Sequence, residues 1–116
     1  MNHLKLITKN SDLTYSKGSH FFNRHELKII FKLYAKMVSK GFWKDYSINI
    51  SRDKISFNVY RRSSENAEFR ICKNLRLKNK NLKYFTSDSQ NNILNVSKNL
   101  EDLLQKTRWK NLKLVN

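Results

Sequence analysis

The sequence predicts an α+β fold: an antiparallel sheet of three to five strands with an N-terminal and a C-terminal helix packed on one face. Three observations predict it. Apolar residues fall at helical spacing over residues 23–40, the period drops to two from Asp45 onward, and helical spacing returns over residues 98–107. The connections between the strand-like runs are short and polar, which suits hairpins rather than crossover helices.

The first helix carries its own start and stop signals. Asn23 is a capping residue, and Glu26 three positions on completes a capping box. Phe22 and Leu27 stand where a hydrophobic staple places them. Leu27, Ile30, Phe31, Tyr34, Met37 and Val38 form one apolar stripe, and Gly41 supplies a left-handed stop.

In the next stretch Tyr46, Ile48 and Ile50 alternate with Ser47, Asn49 and Ser51. Ile55, Phe57 and Val59 alternate with Ser56, Asn58 and Tyr60. Residues 51–54 read as a tight turn, so the two runs form a hairpin. Phe69 and Ile71 mark a third strand. Residues 84–86 and 93–96 are weaker strand candidates around the turn-like residues 87–92. In the last helix Ser97 or Asn99 is the cap, Glu101 and Asp102 lie in the first turn, and Lys106 and Arg108 lie near the end, in accord with the helix dipole. Leu100, Leu103 and Leu104 form its inner face. Leu112, Leu114 and Val115 suggest a tail that folds back.

Residues 1–20 read as a polar flexible arm and residues 21–116 as a single α+β domain, which suits a chain of 116 residues. Cys72 is the only cysteine, so no intramolecular disulfide is possible and a reducing compartment is expected. Residues 1–19 lack the apolar core of a signal peptide, and no run approaches the roughly 20 apolar residues of a membrane span. A cytoplasmic location is expected.

Charge is the most lopsided property: 24 Lys plus Arg against nine Asp plus Glu, a formal net of +15. A field of that size attracts polyanions such as RNA, DNA or an acidic membrane surface. The alternative is compositional. The chain is crowded with Lys, Asn, Ile and Ser, the residues that A/T-rich codons supply, and drift from Glu to Lys raises the charge without a ligand.

The cations gather in three places. Arg24, Lys28, Lys32, Lys36 and Lys40 recur every four residues on the first helix, the four lysines on the side away from the apolar stripe with Ile29 among them. Like charges at that spacing repel mildly, and phosphates would relieve them. Residues 73–83 hold Lys73, Arg76, Lys78, Lys80 and Lys83 with no acid, interleaved with Leu75, Leu77 and Leu82. Such a loop either follows a phosphate backbone or is a solvated connection pinned by its leucines. Either the adjacent Arg61 and Arg62 form a bidentate anion site, or Glu65 pairs with Arg62 or with Arg70 across the strands.

Catalytic signatures are lacking. One Cys and three scattered His do not make a zinc spacing, and Gly18 and Gly41, the only glycines, do not make a phosphate loop. Cys72 falls in a predicted strand as a packing residue. No catalytic activity, cofactor, metal or small-molecule substrate is indicated.

Several spaced motifs resemble a bacterial family, domain of unknown function family 2794. They are Phe22-x-Arg24-x-Glu26-Leu27, Leu33-Tyr34-x-x-Met37-Val38, Gly41-x-Trp43-x-Asp45-Tyr46, Arg61-Arg62-x-Ser64-Glu65 and Arg70-Ile71-x-Lys73. The resemblance implies a small cytoplasmic bacterial protein and carries no activity or ligand. The lysine row does not clearly belong to the family pattern.

The leading expectation is a non-catalytic basic binding module for nucleic acid, RNA before DNA, or for a ribonucleoprotein. Phosphate contacts would come from Arg24, Lys28, Lys32, Lys36, Lys40, Arg61, Arg62, Arg70, Lys73, Arg76, Lys78, Lys80 and Lys83, which requires these cations to converge on one uncovered side. The order helix, three strands, helix is similar to that of double-stranded RNA-binding domains, without their basic motif at the last helix. The rival expectation is a protein-interaction or regulatory subunit that works through Trp43, Tyr46 and the arginine turn. Peripheral membrane binding is disfavoured, because the apolar stripe is needed for the core.

Overall fold

The computed structural model describes residues 21–62, 66–76 and 82–109. The expected arm over residues 1–20, the folded-back tail, Lys78, Lys80 and Glu65 lie outside them. Helix α1 (Arg24–Ser39) is followed by five strands and a second helix. The strands are β1 (Asp45–Ile50), β2 (Lys54–Tyr60), β3 (Phe69–Asn74), β4 (Tyr84–Asp88) and β5 (Ile93–Ser97), and the second helix is α2 (Leu100–Lys106). The sheet is an antiparallel meander in the order β1-β2-β3-β4-β5. Both weaker strand candidates are full members, so the element order departs from a three-strand arrangement.

The caps form as the sequence requires. Asn23 Oδ1 accepts from the Glu26 amide at 2.8 Å, and Glu26 Oε1 accepts from the Asn23 amide at 2.7 Å. At the other end Gly41 has φ +81, its amide donates to Val38 O, and the Phe42 amide donates to Met37 O. These two bonds satisfy carbonyls that the helix end would leave open. Asn99 caps α2 by accepting from the Asp102 amide at 2.8 Å.

Strand register sorts side chains between two faces. One face carries Ile48, Ile55, Phe57, Val59, Phe69 and Ile71, all buried under the helices. Phe31 and Tyr34 bring α1 down onto this face, where Tyr46 stacks on Phe57 with centroids 4.9 Å apart. Leu100, Leu103 and Leu104 bury the inner side of α2. The other face carries Ser47, Asn49, Ser56, Asn58, Arg70 and Cys72, and among the described residues no helix lies on it.

The helices run side by side in the same direction. Near the start of α1, Glu26 bonds to Tyr84, and Tyr84 pairs with Ser97 just before α2 begins. Beyond the ends of both helices, Trp43 and Trp109 meet edge to face at 5.3 Å. Trp43 is 3 % exposed and so does not provide the protein-contact surface expected of it, while Tyr46 is half-buried and stacked in the aromatic cluster. Period-two alternation puts Tyr46 on the core face, and Trp43 closes the far end of the core.

Candidate nucleic-acid interface

The sequence-predicted cations do not converge on one side. Arg24, Lys28, Lys32, Lys36 and Lys40 are all exposed, along about 24 Å of helix axis. Among the described residues none of the five has a carboxylate partner. A four-residue step turns about 40° around the axis, so the row winds rather than running straight. Its early members face solvent opposite the core, and Lys36 and Lys40 arrive beside Ile29 and Leu33.

Ile29 and Leu33 are not scattered surface residues. Both are half-buried and, with Met37, Phe42, Leu104 and Trp109, they line a groove of about 530 Å³ between α1 and α2. Lys32, Lys36, Lys40 and Arg108 stand along it, and among the described residues Glu101 is its one acidic lining residue. The row is thus the rim of an apolar groove as well as a solvated face. The signal was present in the sequence: Ile29, Leu33 and Met37 repeat at four residues, as the lysines do.

Arg61 and Arg62 are exposed just after β2, at the sheet end where α1 stops. The Lys44 amide donates to Tyr60 O there, so Lys44, Arg61 and Arg62 stand together with Asp45 at the Lys40 end of α1.

Four other cations are placed differently. Lys73 is 6 % exposed, and its Nζ donates to Glu26 Oε1 at 2.9 Å and to Phe21 O at 3.0 Å. The Tyr84 hydroxyl donates to Glu26 Oε2. Burial first, then the hydrogen bond and charge of Glu26, push the Tyr84 pKa up, so it stays protonated as a donor. Lys73 is therefore an internal tether of α1 to β3 and not a phosphate contact. Arg70 lies on the opposite sheet face from α1, with Nη1 donating to Asp88 O and to Asn91 Oδ1. Arg76 stands 3.9 Å from Asp53 in an exposed pair and donates to Arg52 O. Lys83 is exposed, over the Tyr84 ring. Leu75 does pack against the core, whereas Leu82 is exposed.

Cys72 is 1 % exposed, and burial pushes its thiol pKa up to about 11, so it packs and does not act as a thiolate. Among the described residues no group of three His, Cys, Asp or Glu side chains is placed to hold a metal. No helix among them is long and apolar enough to cross a membrane.

A five-stranded meander roofed by two codirectional helices, with a lysine-lined groove between them, defines a class of small basic α+β protein. The chain belongs to the family described as protein of unknown function (DUF2794), whose model matches residues 20–104. No curated protein and no solved structure matches it.

Proposed function

We propose that the protein is a non-catalytic module that binds nucleic acid, RNA in preference to DNA, through the solvent face of α1. One observation carries the reading: five exposed cations at one-turn spacing, with no acidic partner among the described residues. Each adjacent pair of lysines in that row costs the helix a little, and a phosphate backbone removes the cost. Lys44 and Arg61 add two exposed cations past Lys40.

The groove favours a second reading. Its apolar floor and lysine rim suit the acidic amphipathic helix of a protein partner. Affinity recovery of the full chain with and without nuclease separates the two. Loss of bound material on nuclease treatment supports the RNA reading. Recovery of a protein partner that survives nuclease and depends on Leu33 supports the second.

A further inference from the structure

The sheet face away from the helices holds a second, smaller cavity of about 280 Å³, lined by Asn49, Ser51, Lys54, Ser56, Arg70 and Asn91. Among the described residues no carboxylate lines it. Two of the six described lining residues are cationic, and neither is paired with an acid among the described residues.

Counting donors shows which groups are left for a ligand. The Ser56 hydroxyl donates to Asn58 Oδ1 at 3.0 Å, and the Ser51 hydroxyl donates to Lys54 O at 3.1 Å, so both protons are committed. Asn58 Nδ2 donates to Ser47 Oγ, which bonds to the Tyr60 hydroxyl, giving the face a connected polar row beside the cavity. Arg70 uses Nη1 to hold Asp88 O and Asn91 Oδ1, which leaves Nε and Nη2. Asn91 accepts with its oxygen and so keeps its amide nitrogen. Lys54 Nζ sits 5.6 Å from the Phe85 ring centroid.

The arginine is anchored rather than loose. Asn91 has φ 66, and the turn that imposes it is drawn together by Asp88, whose carboxylate accepts from the Gln90 amide, the Asn92 amide and Asn92 Nδ2. A guanidinium held through one nitrogen presents the rest of its fork in a fixed plane.

From this arrangement we infer that the cavity binds a phosphoryl oxyanion. Arg70 supplies a bidentate contact, Lys54 a second charge, and the Asn49 and Asn91 amides the remaining donors. The volume falls just below the usual range for organic ligands, which fits a phosphate group with a small substituent. That phosphate belongs either to a small phosphorylated molecule or to a nucleic-acid backbone. Because the sheet separates this cavity from α1, its occupancy is independent of the lysine row.

Amide NMR titration of the full chain tests this with inorganic phosphate, ribose 5-phosphate and a short RNA. Saturable shifts are expected at Lys54, Ser56, Arg70 and Asn91 with phosphate and ribose 5-phosphate. Arg70→Gln is expected to weaken binding about tenfold or more. Lys54→Gln, a change at an exposed side chain that leaves the Arg70 anchor in place, is expected to weaken it severalfold. The K28E/K32E/K36E triple variant is expected to leave these shifts unchanged. RNA shifts at the same amides, lost in Arg70→Gln, assign the phosphate to a nucleic acid; their absence assigns it to a small molecule. Phosphate shifts confined to α1, or Lys54→Gln and Arg70→Gln both titrating like the parent protein, overturn the proposal.

Discussion

Glu26 is the residue on which the helix side of the molecule is assembled. Its carboxylate accepts from the Asn23 amide, the Lys73 ammonium and the Tyr84 hydroxyl, joining the start of α1 to β3 and β4. Buried ion pairs of this kind cost little while complete and a great deal when halved. Glu26→Gln leaves Lys73 charged and buried, and urea unfolding should show a loss of about 3–5 kcal/mol. E26Q/K73M should lose less than the sum of the single changes, a positive coupling that a solvent-exposed pair would not give. Lys73 was misread as a phosphate contact because it opens a run of cations. The alternation Phe69, Ile71, Lys73 already places it on the core face, opposite a helix whose buried row, Glu26, Ile30 and Met37, contains one carboxylate.

Asp88 makes a prediction of a different kind. Burial pushes its carboxyl pKa up, but hydrogen bonds from Asn92 and Gln90 outweigh this and hold it below the usual carboxylate value. A depressed folded-state pKa adds stability that is fully present above the unfolded value of about 3.9 and is lost as pH falls through the folded value. Asp88→Asn should therefore lower stability at neutral pH and flatten the acid limb of the stability–pH curve below about pH 4.

At the scale of elements, most of the fold was legible. The capping box, the Gly41 stop and the hairpin alternation are local chemistry, and all three stand in the structure. β4 and β5 read weakly because their signals are mixed. Tyr84, Thr86 and Ser97 are polar residues buried against the helices, and a register shift at residues 86–87 breaks the alternation. The α1 wall of the α1–α2 groove was legible in the four-residue repeat of Ile29, Leu33 and Met37, but the groove itself needs the second helix beside the first, a relation no local pattern carries. The lysine row itself is predicted to be unfavourable for α1. Lys32 has like charges four residues away on both sides, so Lys32→Gln should raise the thermal midpoint at low salt by a few tenths of a kcal/mol in stability terms, an effect that fades as salt is added. The same change should weaken RNA binding, a stability gain paired with a functional loss.

Across the whole molecule, net charge was read correctly and its placement was not. A count of +15 says nothing about which cations share a side. The structure divides them among the α1 face, the end of β2, the sheet face away from the helices and the interior. The proposed polyanion surface on α1 and the proposed phosphoryl cavity behind the sheet are therefore separate sites. Fluorescence anisotropy of a single-stranded RNA, followed across a salt series, tests the role of α1 most directly. If about four phosphates are neutralised, the log–log slope should be near −3, and K28E/K32E/K36E should flatten it by about 2. No binding at low salt, or an equal slope in the triple variant, would contradict the assignment of RNA to α1.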